Sequence, residues 1–308
     1  MKKVFFFGVA VLIALAKPVF AQAPPAVSLV VSPPTFELSS APGKIVTNVI
    51  KVTNPSSQTL DVKVVLKDFI ASGEEGGVDL TDIDTETDTT YSLSKWISVE
   101  PAAAAILPKA TANFTYTITT PRDAEPGGHF GGILFSVGGG DVSGSGASVT
   151  TEVGSLVLLN LSGKTKEDAK LVSFEPIKRL NEYGPIELEY RVQNKGNVHI
   201  KPVGKVVIKD MLGRIAYENS VDPKNALPAS VRKNIFKWDT KWLFGKYRAQ
   251  ISLNYGAESK LLYSETQFWV IPYKIVIAVV AVVGLFIIYI SRNGKRIKKA
   301  IRLIAGKD

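Results

Sequence analysis

The chain has 308 residues, no cysteine, two histidines, 45% hydrophobic residues and a formal net charge of +9. Without thiols it has neither disulfides nor thiolate metal sites, so apolar burial alone must hold its fold. The positive charge does not point to nucleic acid, because residues 1–21 carry +3 and residues 292–308 carry +6, leaving a body of net zero.

The first segment, MKKVFFFGVAVLIALAKPVFA, has a cationic head (Lys2, Lys3) and an apolar run over Val4–Ala16. Val19 and Ala21 then provide a small-residue cleavage site. This is the layout of a secretory signal peptide over 1–21, cut after Ala21. Alternating strands follow. Leu60, Val62, Val64 and Leu66 point one way and Asp61, Lys63 and Lys67 the other, the period-two pattern of half-buried antiparallel strands.

The acidic insertion within 73–92 places Asp82, Asp84, Glu86 and Asp88 at alternate positions. Counted from Asp82, a calcium loop would have Thr87 at position six and Leu93 at position twelve. That fails the glycine and glutamate requirements, so the segment reads as a solvated loop, with calcium binding left open. PGGHFGGILFSV (126–137) resembles a phosphate loop, yet it runs on as a strand rather than a helix, and no Gly-Lys-Ser/Thr follows. Pro126-Gly127-Gly128 reads as a turn, Phe130 as the start of the returning strand, and Gly131-Gly132 as a bulge or close backbone approach. A flexible glycine-serine stretch (138–149) and an apolar strand complete a first unit over 27–162.

The polar stretch GKTKEDA (163–169) reads as a linker, and a second unit over 170–270 repeats the first. Ile50–Val64 and Tyr190–Val206 are each strand, Asn, turn, strand. Asn54 and Asn194 are expected to serve their turns through their side chains and a tolerance of unusual backbone angles. Each unit then has a Leu-Pro (Leu107-Pro108, Leu227-Pro228) opening a strand, and a Gly-x-aromatic (Gly128-His129-Phe130, Gly245-Lys246-Tyr247) opening another. Charge separates the units: 22–163 has 7 basic and 15 acidic residues, 164–274 has 20 basic and 12 acidic. Either anionic lipid or wall polymer attracts the basic unit, or the two units compensate each other by contact.

No catalytic pattern stands out. His129 and His199 lack a second metal ligand at short spacing, no G-x-S-x-G elbow occurs, and no cofactor motif is present. Trp96, Trp238 and Trp242 suit core packing better than a sugar-stacking platform. The expectation is a protein that is not an enzyme and has no cofactor, with no residue assigned as a metal ligand.

Residues 272–291 form a single apolar span. Trp269, Tyr273 and Lys274 suit the membrane interface on one side, and Arg292, Lys295 and Arg296 anchor the other. The basic tail 292–308 is expected in the cytoplasm and the body outside it, extracellular or periplasmic.

Together these features predict an all-β fold: two tandem immunoglobulin-like β-sandwiches plus a C-terminal transmembrane helix. The order of signal peptide, VTNPSSQTLDVKV, PRDAEPGGHFGGILFSV, a second sandwich with NKGNVHIKPVGKVVIKD and LPASVR, span and basic tail resembles the WxL-interacting cell-surface proteins. The first unit also resembles the immunoglobulin-like fold of pilus chaperones. The resemblance implies a first domain that binds peptidoglycan and a second that binds protein partners; it assigns no ligand-contact residue here. The acidic insertion and the glycine-serine stretch depart from it. The expected function is a membrane-anchored surface protein binding wall polymer and surface proteins. The alternative is an assembly subunit of an envelope, pilus or secretion complex, docking by strand addition.

Overall fold

The structure is a computed structural model that describes residues 28–82, 89–138 and 150–304. The expected signal peptide, the acidic positions Asp84, Glu86 and Asp88, and residues 139–149 lie outside the described residues.

The first sandwich is built from β1 (Val30–Ser32), β2 (Thr35–Ser40), β3 (Ile45–Thr53), β4 (Leu60–Ser72), β5 (Gly77–Thr81), β6 (Ile97–Glu100), β7 (Ala103–Ile106), β8 (Thr111–Thr119), β9 (Gly127–Val137) and β10 (Thr151–Leu161). The second contains β11 (Ala169–Pro176), β12 (Leu180–Asn181), β13 (Ile186–Asn194), β14 (Val203–Lys209), β15 (Ile215–Ser220), β16 (Val231–Trp238), β17 (Gly245–Tyr255) and β18 (Lys260–Val270). One helix, α1 (Tyr273–Ile304), follows.

In the first sandwich, a sheet ordered β1-β3-β8-β6 faces one ordered β2-β10-β9-β4-β5, with β7 beside β4. In the second, β11-β13-β16 faces β12-β18-β17-β14-β15. The plan is the same twice. The N-terminal strand of each unit splits between the sheets: β1 pairs with β3 and β2 runs parallel to β10, while β11 pairs with β13 and β12 runs parallel to β18. Each unit then ends in a long antiparallel pair, β9–β10 or β17–β18.

Alternation explains the cores. Val62, Ile133, Phe135, Val157 and Leu159 meet Ile50, Val52, Phe114, Tyr116 and Ile118 across the first sandwich. Ile186, Leu188, Tyr190 and Val192 meet Val206, Ile208, Ala249, Ile251 and Leu253 across the second. At about 25 cal/mol per Å² of apolar surface removed from water, such stripes drive the two sheets of each unit together.

Two local expectations are corrected. Pro126-Gly127-Gly128 is not a turn: Gly127 is already the first residue of β9, and the chain reverses earlier, at Arg122-Asp123. Nor do Asn54 and Asn194 take unusual backbone angles. Left-handed backbone falls instead on Lys109 (φ 59°) and Ala229 (φ 55°), each the third residue of a Leu-Pro turn, and on Ser259 (φ 52°) in the β17–β18 turn. Ala110 N–H and Ser230 N–H close the Leu-Pro turns on the carbonyls of Leu107 and Leu227, at 3.1 and 3.3 Å. Proline second and a left-handed residue third define a type II turn. Gly131 and Gly132 carry no bulge; they pair in register with Val157 and Leu156, at close backbone approach.

Helix α1 holds a candidate span over Tyr273–Gly294, 22 residues with an 18-residue stretch of mean hydropathy 2.6, none of which is buried against the protein. At 1.5 Å per residue the span is about 33 Å long, enough to cross the ~30 Å hydrocarbon core of a bilayer. The helix starts one residue after the expected boundary and runs unbroken through the basic segment to Ile304.

Candidate functional site between the two sandwiches

Three polar contacts lock the units together; two join carboxylates of the first to basic side chains of the second, and one joins a glycine-rich backbone to a neutral asparagine. The turn between β4 and β5 (Gly73–Gly76) reaches across to β13 and β16. Glu74 accepts both Nε–H and Nη2–H of Arg191, the forked geometry that guanidinium favours. Lys233 Nζ lies 2.6 Å from Glu75 Oε1, and Lys233 N–H donates to the Glu74 carbonyl at 2.7 Å. The hydrogen bond from Arg191 holds the Glu74 carboxyl below its ordinary value, and that from Lys233 does the same for Glu75.

The second contact lies at the start of β9. Gly128 N–H donates to the Asn197 carbonyl at 2.7 Å, and Asn197 Nδ2 donates back to the Pro126 carbonyl at 3.2 Å. A side chain on Gly127 (φ 152°) would begin 3.1 Å from that Asn197 oxygen. The glycines of PGGHFGG therefore let two backbones meet. The third contact is Glu37, which accepts from Lys201 Nζ at 2.8 Å and Asn225 Nδ2 at 2.7 Å. Burial raises the Glu37 carboxyl, but these two donors and the Lys201 charge outweigh it and leave it lowered. Direct compensation, one of the two readings of the charge asymmetry, is realised at Glu37, Glu74 and Glu75.

Apolar packing runs under the clamps. Phe69, Phe130 and Leu158 lie on the outer face of the first unit's larger sheet, with Leu227 from the second unit against them. The His199 ring meets Phe130 edge-on at 6.0 Å; burial lowers its basicity and leaves Nδ1 without a partner. This cover explains why β9 is buried along both faces rather than one.

Beside the clamp a groove of about 210 Å³ remains open. Phe69, Leu156 and Leu158 form its floor, Gly76, Gly77 and Val78 one wall, and Leu227, Val231 and Arg232 the other. Burial lowers the Arg232 guanidinium, whose Nε has no hydrogen-bond partner. Gly76 (φ 89°) makes room for it, since a Cβ there would sit 1.0 Å from Arg232 Nη1. Strand β5, on this rim, pairs with β4 only, leaving its other edge unpaired among the described residues. Next to that edge Leu80 is 40% exposed and Ile70 55%. A volume this small takes one or two apolar side chains; an ordinary cofactor pocket is larger, about 300–1,000 Å³. The open edge supplies backbone hydrogen bonds for an extended segment.

The positions singled out from the sequence fall elsewhere. Trp269, Tyr273 and Lys274 meet at the junction of β18 and α1, where Lys274 Nζ pairs with Glu182 at 2.8 Å. Arg292 is exposed on α1; the side chains of Lys295 and Arg296 lie outside the described residues. His129 is buried, with its ring nitrogens 3.1 Å from the Ser92 carbonyl and 2.9 Å from that of Glu125. Trp96 packs against His129, and Trp238 lies between Tyr217 and Tyr247. Trp242 is 79% exposed. Among the described residues no group of three or more potential metal ligands converges. Within the acidic insertion, Glu74 and Glu75 are interdomain anchors and Asp82 pairs with Lys67 at 3.5 Å. Sequence reasoning missed Phe69, Leu158, Leu227 and Arg232. Their only visible signals were the repeated Leu-Pro and the opposed charge of the units.

No protein-family model and no curated protein matches the sequence. Among solved structures, the chain is similar to the class 5 fimbriae chaperone CfaA, at 14% identity over 78% of this chain and 99% of that one, with a TM-score of 0.40. It is similar to a chain of the Salmonella enterica SafA pilin–SafB chaperone complex, at 9% identity over 79% and 98%, with a TM-score of 0.39. Likeness to the Pseudomonas aeruginosa CupB2 chaperone is at 10% identity over 78% and 100%, with a TM-score of 0.36.

Proposed function

We propose that the chain is a non-enzymatic, membrane-anchored envelope protein whose locked pair of sandwiches binds an extended segment of a protein partner in the interdomain groove. The observation that carries this reading is the groove itself: an apolar floor, a half-buried guanidinium whose Nε is enclosed without a partner, and an open strand edge on one rim. Helix α1 supplies the anchor, and the basic residues after the span support a body outside the cytoplasm, in line with the positive-inside rule. The role is assembly or scaffolding at the envelope, with surface-protein partners of the kind implied by the resemblance to WxL-interacting proteins.

Wall-polymer binding has less support. Of the three tryptophans that could stack on a sugar, Trp96 and Trp238 are packed into their units and Trp242 alone is exposed. A photoreactive side chain at Val78, on the groove wall, tests the choice in membranes holding the full chain. The expected result is one stoichiometric protein adduct that is missing when the same group replaces Thr47, exposed on the opposite sheet. Glycan adducts alone, or equal labelling from both positions, overturns the reading.

A further inference from the structure

The second sandwich has an unusual base. The turn between β14 and β15, the loop between β16 and β17, the loop after β12 and the start of α1 all lie at one end, because β14, β16 and β18 finish there and β13 and β17 begin there. These loops expose large apolar side chains: Tyr183, Met211, Leu212, Trp242 and Phe244. Leu212 is 68% exposed and Trp242 79%, well beyond a half-covered side chain. Folding alone does not favour such exposure, and a cluster of this kind marks an interaction surface.

Charge at the same end is predominantly positive once pairs are removed, with exposed Glu187 at the start of β13 the carboxylate set against it. Asp210 is paired with Arg214, Asp239 with Lys237 and Glu182 with Lys274. Lys178, Arg179, Lys241 and Arg248 are exposed, and no carboxylate lies within ion-pair distance of them among the described residues. Lys246 sits over the Trp269 ring at 6.0 Å. Apolar tips ringed by basic side chains suit the boundary between anionic headgroups and acyl chains.

Chain continuity names the occupant. Only Ile271 and Pro272 separate β18 from α1, a reach of at most about 7 Å. Even that link has no slack: Ile271 N–H donates to the Asn181 carbonyl at 2.8 Å, and Tyr273 N–H to the Ile271 carbonyl at 2.7 Å. If α1 crosses a bilayer from Tyr273, the base of the sandwich lies within the headgroup layer, which is about 5–8 Å deep. We infer that the base of the second sandwich docks on the surface of an anionic bilayer, with Leu212 and Trp242 immersed at the acyl boundary and Lys178, Lys241 and Arg248 among the headgroups. This rests on the reading of α1 as a membrane anchor.

The absence of cysteine makes the test direct. Single nitroxide labels are placed through Leu212→Cys, Trp242→Cys, Glu258→Cys at the opposite end of the sandwich, and Val280→Cys within α1, in the full chain. Each is reconstituted in phosphatidylcholine vesicles with or without phosphatidylglycerol, and accessibility to oxygen is compared with that to a water-soluble nickel complex. The expected oxygen-to-nickel ratio at 212 and 242 is several-fold above that at 258, below that at 280, and higher with the anionic lipid. Aqueous values at 212 and 242 beside an immersed label at 280 overturn the docking while leaving the anchor intact. An aqueous label at 280 overturns the anchor itself. Equal immersion in both lipids overturns the requirement for anionic headgroups.

Discussion

Asn54 and Asn194 occupy the same place in their two units, and both are wholly buried. Asn54 Nδ2 donates to the carbonyls of Gln58 and Ile106, while Oδ1 accepts from the N–H and hydroxyl of Ser56. Asn194 Nδ2 donates to Val198 and Ala226, and Oδ1 accepts from Gly196 N–H. One amide thus closes its own turn and ties it to the strand or bridge before the Leu-Pro. Asn54→Ala or Asn194→Ala leaves two carbonyls without these donors, and the expected destabilisation is on the order of 2–4 kcal/mol. Ser56→Ala, which removes a half-buried partner, is expected to cost about 0.5 kcal/mol. Urea unfolding of the full chain in detergent checks both. The asparagines were legible because strand, Asn and turn recur in sequence. Arg232 was not, because its burial is made by a hairpin of the other unit.

The β4–β5 hairpin carries the interdomain clamp at the scale of the element. Its turn must hold a left-handed residue against Arg232, and Gly76 does so without a Cβ. Gly76→Ala adds about 1–2 kcal/mol of backbone strain and pushes the Arg232 guanidinium aside, so the hairpin is expected to undock more often. Cleavage by a glutamyl endopeptidase after Glu74 or Glu75 should accelerate about tenfold, the equivalent of that strain when opening precedes cleavage. An unchanged cleavage rate would show that the turn is not held by its fit to Arg232. The strand pattern here was readable from alternation, whereas the docking was not. Glu74 and Glu75 resemble any solvated acidic turn until Arg191 and Lys233 are brought opposite them.

Across the whole molecule the two opposed charges meet at the clamps, which makes the junction sensitive to acid. The Glu37, Glu74 and Glu75 carboxyls have folded values below the ordinary 4.5, so their stabilisation is complete above that value and is lost as pH falls through the lower folded values. His199 is shifted the same way by burial. Below its ordinary 6.5 the unfolded chain takes up a proton that the folded chain resists, and stability declines toward the lowered folded value. Acidification is therefore expected to loosen the junction in two steps, a small one beginning below 6.5 and a larger one below 4.5. Hydrogen exchange at Lys233 N–H, corrected for its intrinsic rate, reports the opening. His199→Gln should remove the first step and keep the second. Exchange that slows on acidification after correction would contradict the sign of both shifts.

Alternating side chains, the two Asn turns, the Leu-Pro repeats and the long apolar segment determined by themselves that the chain folds as two all-β units followed by one helix. They could do so because strand and helix periods are local properties of neighbouring residues. Tertiary structure alone decided that β9 is covered on both faces and that opposite charges are spent on each other. It also decided that a groove opens between Phe69 and Leu227, and that apolar tips gather around the start of the helix. Those features depend on which distant surfaces meet, and burial, desolvation and pairing of a side chain follow from its neighbours in space.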